Sequence, residues 1–166
     1  MAPRRPLGTE RLSVDEIDAL VDRWAAAAER AVAAGFELLE VHAAHGYLLH
    51  EFLSPVTNDR EDRYGGDFER RTRLLREVVE AVRAAIPDGT ALFVRVSATD
   101  WLPDRESWTV DDSARLAGDL APLGVDLVDV SAGGIHPDQQ VPATGPHYLS
   151  QRESPAVHGG RESRKL

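Results

Sequence analysis

Apolar residues recur at helical spacing in three stretches of the chain. The first stretch predicts a helix over 14–34, and it begins with Ser13-Val-Asp-Glu16, a spacing in which the two end side chains cap each other's backbone N–H groups. The second predicts a helix over 68–85. The third starts after Thr109, with an aspartate three residues later, and is predicted to end near residue 121.

A short apolar segment follows each helical pattern and predicts a strand, at 38–42, 91–97 and 125–131. A long polar segment through residue 67 separates the first strand from the second helix and is predicted to be a loop. The order of helix and strand, repeated three times, favours parallel strands joined by right-handed helical crossovers. The predicted class is therefore α/β, and either a barrel or an open sheet fits the order.

Alternate strand positions differ in chemistry, and this difference bears on the choice between a barrel and an open sheet. One parity is entirely apolar and is expected to face the helices: Leu39, Val41, Leu92, Val94, Val96, Val128 and Val130. The other parity carries Glu40, Arg95 and Asp129, each two residues before a His or Ser. An open sheet covered on both faces needs apolar residues on both parities. A barrel that holds a polar ligand at its carboxyl end accommodates the pattern better.

Composition and charge limit the class of protein. The length of 166 residues predicts about one domain, and 42% apolar with 28% charged residues is typical of a soluble domain. The chain begins with no secretory signal and has no spanning apolar run, so we expect a cytoplasmic protein without membrane contact. A net charge of −9 disfavours nucleic acid as a partner, and the lack of cysteine excludes thiolate chemistry. A small organic substrate is the better expectation.

Two histidines and a tyrosine stand at the end of the first strand, in the segment His42-Ala-Ala-His45-Gly-Tyr47. Taken alone, the histidines fit ordinary loop residues, a metal site that also uses His50, or catalytic groups. Tyr47 taken alone is ordinarily a packing aromatic. The residues by themselves leave these alternatives open.

Several motifs occur in a fixed order along residues 10–148. They are Glu40-Val-His42-Ala-Ala-His45-Gly-Tyr47-Leu, Phe52-Leu-Ser-Pro55, Asn58-x-Arg60-x-Asp62-x-Tyr64-Gly-Gly66, Phe93-Val-Arg95-Val-Ser97 and Gly124-Val-Asp-Leu-Val-Asp-Val-Ser131. Together they closely resemble the old yellow enzyme family of flavin-dependent oxidoreductases. Asp67 and Arg70 depart from the family, which usually has Ser and Asn there, and the change is expected to alter a loop rather than the chemistry.

The resemblance implies a partial TIM (β/α)8 barrel with about three βα units, corresponding to strands 4 to 6 of the family's eight. It divides the chain into an N-terminal linker over 1–12, a partial FMN-dependent oxidoreductase barrel over 13–148, and a disordered or aberrant tail over 149–166. In the family, residues after strands seven and eight hold the flavin phosphate and residues on strands one to three hold the ring. Those positions have no counterpart here, and we expect a truncated or mis-framed product of a longer gene.

The resemblance also implies an enzyme that uses FMN as cofactor and NAD(P)H as reductant to reduce activated alkenes, the α,β-unsaturated carbonyl compounds. His42 and His45 resemble the pair that hydrogen-bonds the substrate carbonyl oxygen. Tyr47 resembles a substrate-binding residue that is also catalytic, because it protonates the α carbon. Arg95 resembles the cation beside the pyrimidine edge of the flavin. No metal ligand is implied.

Arg95 points inward on its strand and needs anionic partners, because an unpaired buried charge is costly. Glu40 and Asp129, on the flanking strands, are the candidates. Two alternative functions stay open. One is an inactive fragment of such an enzyme, which is unstable alone or survives by pairing its strand edges with another chain. The other is a metal-dependent barrel enzyme that uses His42, His45 and His50. A homo-oligomer is a possible assembly of a full-length protein of this kind.

Overall fold

The structure, a computed structural model, describes residues 11–141. The segments proposed as linker and tail, 1–12 and 149–166, lie outside this range except for Arg11 and Leu12. The elements in chain order are α1 (Val14–Ala33), β1 (Leu38–Ala43), α2 (Leu48–Leu53), α3 (Phe68–Ala85), β2 (Ala91–Ser97), α4 (Val110–Leu120), a 3₁₀ turn (Ala121–Leu123) and β3 (Leu127–Ser131). None of the helices in the described range is long and apolar enough to span a bilayer.

The predicted helices and strands are confirmed, with two differences. The loop predicted before α3 contains the short helix α2, whose six residues are too few to show a helical period. Strand β3 begins at Leu127 rather than at residue 125. The residue before it, Asp126, is bonded to Leu92 of β2: the Asp126 N–H donates to Leu92 O at 2.8 Å, and Asp126 Oδ2 accepts from Leu92 N at 2.9 Å. Because a side chain takes the place of a backbone acceptor here, the regular strand pairing starts one residue later.

Side-chain caps fix where the longer helices begin. Ser13 and Glu16 form the predicted capping box of α1, and Thr109 forms another with Asp112 at α4. Asp67 caps α3 by accepting a hydrogen bond from the Arg70 backbone N–H at 3.0 Å. Since serine and aspartate are both good N-cap residues, the departure from the family at this position keeps the start of α3 in place.

The three strands form one parallel sheet in the order β1-β2-β3. The covered face, which lies under the helices, carries Val41, Leu92, Val94 and Val96, all buried. The open face carries Glu40, His42, Phe93, Arg95 and Asp129, all at least partly exposed. The predicted parity is thus confirmed. A parallel sheet with helices on one face and polar groups on the other has the layering of an arc of a barrel.

The motif from Asn58 to Gly66 stabilises the fold rather than the open face. The Asn58 side-chain amide donates to the carbonyl oxygens of Phe52 and Tyr64 at 2.6 and 2.7 Å. Tyr64 is fully buried, and its hydroxyl donates to Glu77 at 2.8 Å. Burial, and then the bond to the Glu77 carboxylate, raise the pKa of Tyr64 to about 12. These bonds connect the loop to α3.

Candidate active site

His42, Arg95 and Asp129 form a row across the open face. The strand register pairs His42 with Arg95, and Arg95 with Asp129. Because the three strands are parallel and share one parity, their side chains project to the same side near the carboxyl ends. The row therefore lies at the edge of the sheet where barrel enzymes build their active sites.

In the part of the chain that the structure describes, Arg95 has one anionic partner and one unsatisfied donor. Its Nε lies 3.4 Å from Asp129 Oδ2, and the two side chains are 34% and 38% exposed. The same Nε atom is buried and makes no hydrogen bond within residues 11–141. Of the two predicted partners Asp129 is therefore confirmed. The prediction that Glu40 also pairs with Arg95 is wrong, because the strand register places Glu40 beside Phe93.

His45 lies in the loop after β1 and is tied to both other strands. It adopts a left-handed backbone conformation with a φ of 59°, which is uncommon for a residue other than glycine. Its backbone N–H donates to Ser97 Oγ at 3.0 Å, and its ring Nε2 is hydrogen-bonded to Ser131 Oγ. Partial burial, and then the charge of Arg95, lower the pKa of His45. The imidazole is therefore neutral near pH 7.

Tyr47 completes the group of predicted residues. Tyr47 is 65% exposed, and its ring centroid lies 5.4 Å from that of His42. The rings of His42 and His45 are 5.2 Å apart. The structure thus brings together the two histidines, Tyr47 and, through the strand register, Arg95.

The loops that follow β1 and β3 touch each other above β2, a contact that the sequence did not predict. A Cβ atom on Gly46 would lie 2.2 Å from Gly134 O, and one on Gly134 would lie 2.5 Å from His45 Cα. Both glycines also have positive φ angles, 77° and 98°. Only glycine fits at these two positions, so the backbone beside His45 is held by a direct loop-to-loop contact.

A buried polar network beneath this loop was also missed. His50 and Asp100 are fully buried, and His50 Nε2 lies 2.9 Å from Asp100 Oδ1. The other carboxylate oxygen accepts hydrogen bonds from Ser54 Oγ at 2.6 Å and from Trp108 N at 2.8 Å. Asp100 stands in an irregular loop without periodicity, so no sequence signal marked it.

The three-histidine metal alternative does not fit this geometry. His50 Nδ1 accepts the Gly46 N–H at 2.9 Å, and Nε2 is engaged by Asp100, so neither ring nitrogen is available to a metal. Within residues 11–141, no group of three or more His, Asp or Glu side chains is arranged to hold an ion. His42, His45 and His50 therefore divide into two that line the open face and one that is buried.

The sequence is similar to those of known flavin enzymes. A profile of the NADH:flavin oxidoreductase / NADH oxidase family matches residues 4–152. An NADH:flavin oxidoreductase of Gibberella zeae is 51% identical over 143 residues, which are 81% of this chain and 35% of that protein. The NADPH dehydrogenase of Bacillus licheniformis is 47% identical over 126 residues, 76% of this chain and 36% of that protein. The chain thus spans about a third of the length of these curated relatives.

Solved structures agree with this likeness. Histamine dehydrogenase from Rhizobium sp. 4-9 matches with a TM-score of 0.69 and 35% identity, over 76% of this chain and 18% of that one. A 2-naphthoyl-CoA reductase matches with a TM-score of 0.72 and 28% identity, over 80% of this chain and 21% of that one. Both are TIM-barrel flavoenzymes, so the predicted partial barrel is confirmed. The chain belongs to the NADH:flavin oxidoreductase / NADH oxidase family, whose members bind FMN and use NAD(P)H.

Proposed function

We propose that the open face is the substrate-binding wall of an FMN-dependent NAD(P)H oxidoreductase that reduces activated alkenes, the α,β-unsaturated carbonyl compounds. The observation that carries this proposal is the placement of His42, His45 and Tyr47 together on one side of the strand ends, next to Arg95. Family membership supports the use of FMN and NAD(P)H.

The two histidines serve as donors to the substrate carbonyl oxygen. The His45 ring is neutral near pH 7, and when its Nε2 accepts from the Ser131 hydroxyl its Nδ1 carries the hydrogen and can donate. The His42 ring lies 5.2 Å away and supplies the second donor. Donors fixed in place before the reaction stabilise developing negative charge on the oxygen, often by about 3 kcal/mol each.

Tyr47 supplies the proton. The reduced flavin, when bound, supplies a hydride to the β carbon of the alkene. The α carbon then needs a proton, and the exposed residue Tyr47 lies with its ring beside that of His42. A phenol within hydrogen-bonding reach of that carbon acts as a general acid.

Arg95 is the residue of this chain that fits the flavin. Its Nε has no hydrogen-bond partner among the described residues and its side chain is one-third exposed, which suits a ligand with hydrogen-bond acceptors and negative charge. Asp129 keeps the guanidinium on the open face before any ligand binds.

The test is to add FMN to the purified 166-residue chain, follow the visible flavin absorbance, and then add NADH or NADPH followed by 2-cyclohexenone. We expect bound flavin to bleach with the nicotinamide and to regain its colour with the enone. Arg95→Met should weaken flavin binding, whereas Arg105→Met, which changes an arginine paired with Asp138, should leave it unchanged. A chain that binds no flavin would overturn the proposal and favour the inactive-fragment alternative.

A second measurement tests the substrate wall without flavin turnover. In NMR titrations, 2-cyclohexenone should shift the ring signals of His42 and His45 and leave those of His136, in the loop after β3, in place. Saturated cyclohexane serves as the matched ligand without a carbonyl. Equal shifts with both compounds would contradict carbonyl recognition.

A further inference from the structure

The backbone that carries His45 and Tyr47 is held by a hydrogen bond at each of three successive N–H groups. The His45 N–H donates to Ser97 Oγ at 3.0 Å, and the Tyr47 N–H donates to Ala44 O at 3.2 Å. Between them, the Gly46 N–H donates to His50 Nδ1 at 2.9 Å. His45 and Gly46 both have left-handed conformations, so this turn needs stabilising contacts to stay in one shape.

The bond to Gly46 fixes the tautomer of His50. A backbone N–H can only donate, so Nδ1 must be the acceptor, and the ring hydrogen of a neutral imidazole is then on Nε2. That hydrogen points at Asp100 Oδ1, 2.9 Å away. Asp100 is itself held by the Ser54 hydroxyl and the Trp108 backbone N–H, so the orientation of the His50 ring is set from the far side.

We propose that His50 is a positioning residue: in its neutral Nε2–H tautomer it accepts the Gly46 N–H and thereby orients His45 and Tyr47 on the open face, while its bond to Asp100 sets the orientation of the ring. The proposal rests on the proposed function for what those two residues do, but the geometry of the connection does not depend on it. His50 is fully buried and touches no substrate, so it acts only through its neighbours.

The connection joins parts of the chain that are distant in sequence. His50 lies on α2, Asp100 follows β2, and Trp108 stands two residues before α4. A displacement of the β2 loop is therefore transmitted to the turn between His45 and Tyr47. Ring orientation on the open face thus depends on contacts beneath it as well as on the strands.

The first test is made on the wild-type chain. In an NMR spectrum that correlates the ring nitrogens with the ring protons, His50 should show the pattern of a neutral imidazole with its hydrogen on Nε2. A hydrogen on Nδ1, or a charged ring near neutral pH, would overturn the proposal.

Two substitutions then separate the two bonds of the ring. His50→Asn can place an amide oxygen where Nδ1 lies and keep the acceptor for Gly46, whereas His50→Gln can place an amide N–H near Nε2 and keep the donor to Asp100. Relative to the amide of Val94, hydrogen exchange at Gly46 should accelerate about tenfold or more in His50→Gln and about threefold or less in His50→Asn.

The readout for positioning is the proximity of the rings. The nuclear Overhauser contact between the rings of His42 and Tyr47 should be retained in His50→Asn and lost in His50→Gln, although both variants lose one of the two ring bonds. Equal ring contacts in the two variants would show that His50 has only a general structural role, and would overturn the proposal.

The tests of the positioning role of His50 can succeed or fail independently of the tests of the proposed function. The tautomer, the Gly46 exchange rate and the ring contact are all measured without flavin or enone. If they hold while neither ligand binds, the positioning role stands and the proposed function fails. If enone binding to the wild-type chain holds while the ring contacts are equal in the two variants, only the positioning role fails.

Discussion

The two faces of the sheet are built from the same strands but differ in almost every property. Leu92, Val94 and Val96 on the covered face are at most 1% exposed and belong to one hydrophobic core. Phe93 and Arg95, which alternate with them, are partly exposed, and Arg95 has a buried donor without a partner among residues 11–141. The covered face gives stability by excluding water, and the open face carries the polar groups of the proposed substrate-binding wall.

On the proposed function, alternate residues of one strand therefore serve the core and the site. A parallel sheet in a barrel makes this division possible because successive side chains point to opposite faces. Substitutions on neighbouring residues of β2 should therefore have effects of different kinds, on stability for one face and on binding or titration for the other.

The largest effect is expected for Leu92→Ala. Leu92 is fully buried, so truncation leaves a cavity in the core and should lower the free energy of unfolding by about 2–5 kcal/mol. Phe93→Ala, at the next residue on the open face, should cost clearly less, although it removes more atoms. Urea denaturation of the two variants measures the difference, and equal losses would contradict the division between the faces.

A smaller loss is expected where the open face depends on backbone contact. In Gly134→Ala the new Cβ would lie 2.5 Å from His45 Cα at a φ of 98°, so the variant should lose about 1–3 kcal/mol of stability. The matched control is Gly89→Ala, since no heavy atom lies within 4 Å of a Cβ there. If both variants unfold at the same urea concentration, the loops do not depend on this contact.

Tyr64→Phe should cost about 1 kcal/mol and also remove a pH dependence. The folded-state pKa of Tyr64, about 12, lies above its ordinary value of 10.0, so the folded protein holds this proton more tightly than the unfolded chain. Stability from this group is complete below pH 10 and is lost as the pH rises toward 12. Urea denaturation at several alkaline pH values should show a shallower fall for the variant than for wild type.

The parts that sequence predicted best depend on neighbours along the chain. The helix over 68–85 follows from apolar spacing, and the row of His42, Arg95 and Asp129 follows from strand parity combined with parallel pairing. His50 with Asp100, fifty positions apart, was not predicted, because no local pattern indicates which loops will meet. The contact between Gly46 and Gly134 was not predicted either, because the two loops meet only when β1 and β3 lie on either side of β2.

The smallest effect, a change in the titration of His45, tests whether the open face acts as one electrostatic unit. Arg95 lowers the pKa of His45 and Asp129 raises it, while burial is the larger cause of the overall depression. Arg95→Met should therefore raise the pKa of His45, and Asp129→Asn should lower it further, because each removes one charge of known sign. Arg105→Met, at an arginine paired with Asp138, should leave it unchanged. Titration of the His45 ring signals by NMR measures all three variants. Shifts of the same sign in Arg95→Met and Asp129→Asn would mean that changes in burial, rather than the two charges, control this histidine.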